Sequence, residues 1–177
     1  MTQRASKQQR MDLAFAALLS PDDATALTAL TRIEDQGDAR AIPHLLRALV
    51  RNPSPAVQAR ITALLHTVKT ADAVTTLVTA LDEPEFSSVR RTILAAFWSA
   101  GLDAREHLDR FIELALAGDA QDCFECLTVI ENQEIWPEKA ARQGAARVRK
   151  AVIDEAEPMK ASMLRGIADE LDQRLGA

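Results

Sequence analysis

The dipeptide Asp-Ala returns three times in one kind of setting. Gly37-Asp38-Ala39-Arg40-Ala41-Ile42-Pro43 comes first, then Thr70-Ala71-Asp72-Ala73-Val74, then Gly101-Leu102-Asp103-Ala104-Arg105. The aspartates lie 34 and 31 residues apart. A turn recurring at that period means one helix–turn–helix unit used several times. Each aspartate stands where the second helix of a unit needs an N-cap, and Gly37 relaxes its turn. Arg40 is missing from the second copy and is therefore open to a specific role.

Between the turns, apolar residues keep helical spacing. Met11, Phe15, Leu18 and Leu19 form one stripe; Ile42, Leu45, Leu46 and Leu49 form another. Phe124, Leu127 and Ile130 form a later one, and Met159, Met163, Ile167 and Leu171 the last. Two columns superpose across the units: Val57, Val89 and Phe124 on first helices, and Leu45, Leu77, Phe111 and Val148 on second helices. No stretch keeps a period of two, so no sheet is expected. Ser20-Pro21 and Ser54-Pro55 each place an N-cap serine before a proline at the first helical position. The resulting division is a disordered polar lead at 1–6, a capping helix at 7–19, and helix pairs at 21–52, 53–83, 84–118 and 119–155. A closing helix at 157–175 ends a single domain spanning 7–177. One pair cannot bury its apolar face alone, so neighbours stack and the end helices cap the array.

Composition narrows the function classes. The 177 residues are 47% hydrophobic but only 4% aromatic, without tyrosine, so small aliphatic side chains build the core. The formal net charge of −5 argues against non-specific nucleic-acid binding, which needs a basic surface. No apolar run reaches the roughly 18 residues of a membrane span, and Asp12 interrupts what would be a signal sequence, so a cytoplasmic protein is expected. Cys123 and Cys126 stand alone at C-x-x-C spacing, without a second ligand pair for zinc, and read as buried thiols. His44, His66 and His107 fall in different units without metal-ligand spacing, so neither metal nor cofactor is expected. Nucleophile-elbow and phosphate-loop motifs are absent, and no enzymatic activity is expected.

The string from Gly37 to Leu46 resembles the turn and second helix of a HEAT repeat, in particular the short variety named for phycobilisome lyases. Val89-Arg90-Arg91 with Ile93 and Leu94 resembles the first helix of such a unit. The stretches Leu114–Asp119 and Ile130–Gln133 are similar to small bacterial HEAT proteins of unassigned function. The resemblance covers residues 21–118 and departs at Asn132–Pro137. It implies an all-α fold, a right-handed α-solenoid of stacked antiparallel helix pairs, and a protein-binding scaffold without chemistry of its own.

In such solenoids the second helices line the concave face. The resemblance therefore makes Arg40, His44, Arg47 and Arg51 candidates for a basic patch facing an acidic segment of another protein. The plainer reading of these residues is a solvated face paired with acids of the next repeat. Arg90 on a first helix joins the candidates. Trp98 is either a binding anchor or a packing residue against the next repeat. Two alternatives follow from the fold alone. One is a nucleic-acid role like that of HEAT-like DNA glycosylases, using Arg47, Arg51, Arg90 and Trp98. The other is a bilin-lyase role with Cys123 or Cys126 as thiol carrier.

Overall fold

The computed structural model describes residues 6–70 and 72–176. These residues form ten α-helices, and there is no strand among them. They are α1 (Lys7–Ala17), α2 (Asp23–Gln36), α3 (Ala41–Arg51), α4 (Pro55–Leu65), α5 (Ala73–Asp82), α6 (Arg90–Ser99), α7 (Leu108–Ala117), α8 (Ala120–Glu131), α9 (Glu138–Asp154) and α10 (Pro158–Gly176). Short 3₁₀ segments at Pro84–Val89 and Arg105–His107 lead into α6 and α7. The helical class is the one the periodicity implies. The expected lead at 1–6 lies outside the described residues except for Ser6, which is ordered as a cap. Its Oγ accepts from Gln9 N at 3.2 Å, and the Gln9 side chain accepts from Ser6 N at 2.8 Å.

Two compact units divide the chain, residues 1–96 and 97–177, with the division inside α6. In the first unit α1 packs on α2 and α3, while α3 also meets α4, α5 and the 3₁₀ segment before α6. Leu18, Leu30, Ile42, Leu46, Ile61 and Leu77 are fully enclosed there. In the second unit α10 packs along α9 and α8, and α7 packs on α8 and α9. Phe97 and Phe111 meet edge to face at 5.1 Å in its core.

Several local expectations change. Ser20 is not the cap of α2; Asp22 is, accepting from Thr25 N at 2.9 Å, while Ser20 Oγ accepts from Asp22 N. Ser54 stands at the N-cap of α4, but its hydroxyl donates to Asp23 Oδ2 at 2.6 Å instead of capping. The turn aspartates do not cap the second helices: α3 and α5 have no side-chain cap. Asp38 and Asp103 each turn to the arginine two residues on. The constant feature of the three turns is the alanine after the aspartate. Ala39, Ala73 and Ala104 are all buried, whereas the aspartates stay near the surface.

The apolar stripes also need correction. Phe124 is 52% exposed, and Cys123, Cys126, Val129 and Ile130 form the buried face of α8. Cysteine behaves here as a small hydrophobe, and that shifts the face by one residue. Val89 is only half-buried, and Phe86 in the 3₁₀ segment fills the core in its place. Leu19 and Met159 are exposed, so the α10 core face is Ala161, Leu164, Ile167, Ala168 and Leu171.

The close approach of α9 to α7 depends on Gly144. A Cβ there would lie 2.3 Å from Ile112 Cδ1, so even a methyl group forces that side chain aside. Replacing Gly144 by valine should overpack this contact and cost about 1–3 kcal/mol. A lowered melting temperature would register it, and an unchanged one would refute the close packing.

Candidate interaction surface

The four α3 residues singled out by the sequence, Arg40, His44, Arg47 and Arg51, follow spacings of four, three and four and so share one flank of the helix. The fold uses most of that flank internally. Arg40 stands at the start of α3, where its guanidinium forks onto Asp38 at 2.7 and 2.9 Å and its Nη1 donates to Gln8 Oε1 on α1 at 2.6 Å. The His44 ring stacks on Phe15 of α1, centroids 4.2 Å apart and nearly parallel. Arg47 donates to Glu85 Oε1 from Nη2 at 3.0 Å and from Nε at 3.2 Å, and lies over the Phe86 ring at 5.9 Å. α1 and the 3₁₀ segment at Pro84–Val89 thus take up three of the four. Arg40, read from the sequence as open, is engaged.

Arg51 differs. It is exposed at the end of α3 and makes no hydrogen bond or ion pair among the described residues. It borders a cleft of about 440 Å³ with Leu19, Pro21, Asp23, Asn52 and Pro53. The floor is stiff: Asn52 is buried, its Oδ1 accepts from Ser54 N at 2.9 Å, and its carbonyl accepts from Gln58 Nε2 at 2.8 Å. Leu19 at the rim is 48% exposed.

Arg90 begins α6 half-buried and has contacts within the fold. Trp98 belongs to the second unit, where its indole N–H donates to Glu125 Oε2 at 3.1 Å while 36% of the residue stays exposed. Trp136 is a core residue that donates to the Ile130 carbonyl at 3.2 Å. Neither cysteine is in a disulfide, and both are fully enclosed. Burial pushes the Cys123 thiol up to about 11, so it stays protonated and out of reach of a substrate. Sequence reasoning missed Gln8, Phe15 and Glu85 as neighbours of α3. The apolar stripe of α1 pointed to a buried face but carried no sign of which helix it would cover.

The family model for HEAT repeats matches residues 11–98. The chain is a HEAT-repeat protein. The HEAT match begins inside α1, covers α2–α5 and runs through most of α6. No curated protein and no solved structure matches the chain. Among the described residues of this HEAT-repeat protein, no helix is long and apolar enough to cross a membrane.

Two titrations report on the α3 flank. The Arg40 bonds hold the Asp38 carboxyl at about 2, below its ordinary 3.8. A carboxyl lowered by folding contributes stability above its ordinary value and loses it as pH falls through the lowered one. NMR titration should therefore find Asp38 still ionised at pH 3, and Arg40→Ala should return it towards 3.8. Burial, then the charge of Arg47, lowers His44 below 6.5. Its neutral form belongs to the stacked state, so the α1–α3 contact should weaken only as pH falls below 6.5 through the lowered value. A His44 titration at or above 6.5 would contradict the stacked, half-buried ring.

Proposed function

We propose that this HEAT-repeat protein is an interaction scaffold that binds another protein and performs no chemistry of its own. The observation that carries the reading is the cleft at the end of α3. It joins an uncommitted cation, Arg51, to the exposed apolar side chain of Leu19. An acidic segment carrying an apolar side chain fits that chemistry: Arg51 meets the carboxylate and Leu19 the apolar group. Arg40, His44 and Arg47 shape α3 from within and set the position of this edge, so the binding role narrows to Arg51. Trp98 and the exposed Phe124 are the corresponding anchors of the second unit.

Affinity capture with quantitative mass spectrometry tests this reading. A stoichiometric partner protein should be recovered. The double variant Leu19→Glu with Arg51→Glu should lose about tenfold or more of its affinity, while Lys150→Glu in the second unit should not. Equal recovery by all three proteins would remove the cleft from the account. Duplex DNA binding that fades as salt rises would contradict the scaffold reading itself.

A further inference from the structure

A groove of about 200 Å³ in the first unit lies between residues 33–45 and residues 64–70 and shares no residue with the Arg51 cleft. Its walls are mostly apolar and include Ile33 from α2, Leu45 from α3, Leu64 from α4 and Val68 just beyond α4. An apolar cavity of about 150 Å³ is enough to hold benzene, so this groove accepts an apolar body of about five to seven carbons.

The polar groups that line the groove divide into engaged and open ones. Glu34 is ion-paired to Arg60, and Asp38 to Arg40 at 2.7 Å. Both acids are therefore balanced by cations. The Thr67 hydroxyl bonds back to the carbonyls of Ala63 at 3.1 Å and Leu64 at 3.2 Å. Two groups stay open. The Thr70 hydroxyl is buried without a hydrogen-bond partner among the described residues, while the Thr70 carbonyl is held in the turn by Ala73 N at 3.0 Å. Lys69 beside it is exposed and makes no hydrogen bond or ion pair among the described residues. The groove thus combines apolar walls, one buried O–H and one unbalanced positive charge.

We infer that this groove binds a small free carboxylic acid in its ionised form, the apolar body against Ile33, Leu45, Leu64 and Val68 and the carboxylate at the Thr70 hydroxyl and the Lys69 ammonium. A carboxylate accepts from both donors at once. An amide or alcohol of the same length pairs with Thr70 and leaves the Lys69 charge unbalanced. An alkylammonium meets Lys69 as a like charge, and acetate leaves the apolar walls uncovered.

Amide NMR of the intact protein at pH 7 tests the inference, with hexanoate as probe and hexanamide, hexylammonium and acetate as controls. Hexanoate should shift the Val68 and Thr70 amides saturably, and each control should bind about tenfold more weakly or less. Thr70→Val keeps the side-chain shape and removes the open hydroxyl. It should melt no lower than the parent and bind hexanoate about tenfold more weakly. Lys69→Gln should weaken binding about threefold, as expected of an exposed ion pair. Hexanamide binding as tightly as hexanoate, no saturable shift at Val68 and Thr70, or a Thr70→Val variant that melts several degrees below the parent would each overturn the assignment. Tighter binding of the N-acetylated peptide Ala-Ala-Leu with a free carboxyl end would give the groove to a protein C-terminus and overturn the free acid. None of these outcomes involves the Arg51 cleft, so the scaffold reading stands or falls separately through affinity capture.

Discussion

The buried alanine is the constraint on which the turns depend. A turn between two helices can bury its corner residue only if that residue is small. Ala39, Ala73 and Ala104 meet that condition, and each sits directly after an aspartate that stays towards solvent. In two of the three turns the aspartate then grips an arginine, and the backbone is held from the outside as well. At Gly37 the crowding comes from its own helix: a Cβ there would lie 2.4 Å from the carbonyl oxygen of Ile33 in the last turn of α2. The 34- and 31-residue recurrence in the chain is thus the trace of a packing requirement.

Once the corners are set, the polar groups around them decide what is structural and what is available. Gln133 and Trp136 spend their hydrogen bonds inside the second unit. Lys160 does the same, donating to the Leu116 carbonyl at the end of α7 and pairing with Glu155. Arg174 on α10 donates to the carbonyls of Glu131 and Glu134, where the C-terminal end of α8 leaves acceptors open. Arg51 lacks such an internal partner among the described residues.

Much of this was legible in the sequence, and the failures share a cause. Helical spacing identified the chain as all-helical, because burial imposes a period that local sequence records. It did not rank the faces correctly on α8, since two cysteines outcompeted Phe124 for the interior. It assigned the turn aspartates to capping because residue type and position suited a cap, yet an arginine two residues away offered a stronger charged donor. It read Arg40, His44, Arg47 and Arg51 either as a basic patch or as a solvated face paired with acids, without naming what covers them. The groups that cover it, Gln8, Phe15 and Glu85, come from residues about thirty to forty positions away, and helical phase says nothing about such neighbours.

The claim that buried alanine corners set the repeat is tested most directly by thermal unfolding of Ala73→Leu and Ala104→Leu beside Ala63→Leu and Ala146→Leu on exposed helix faces. The corner variants should each lose about 1–3 kcal/mol through overpacking, and the surface variants should stay within about 0.5 kcal/mol of the parent. Corner variants that melt with the parent would contradict the account.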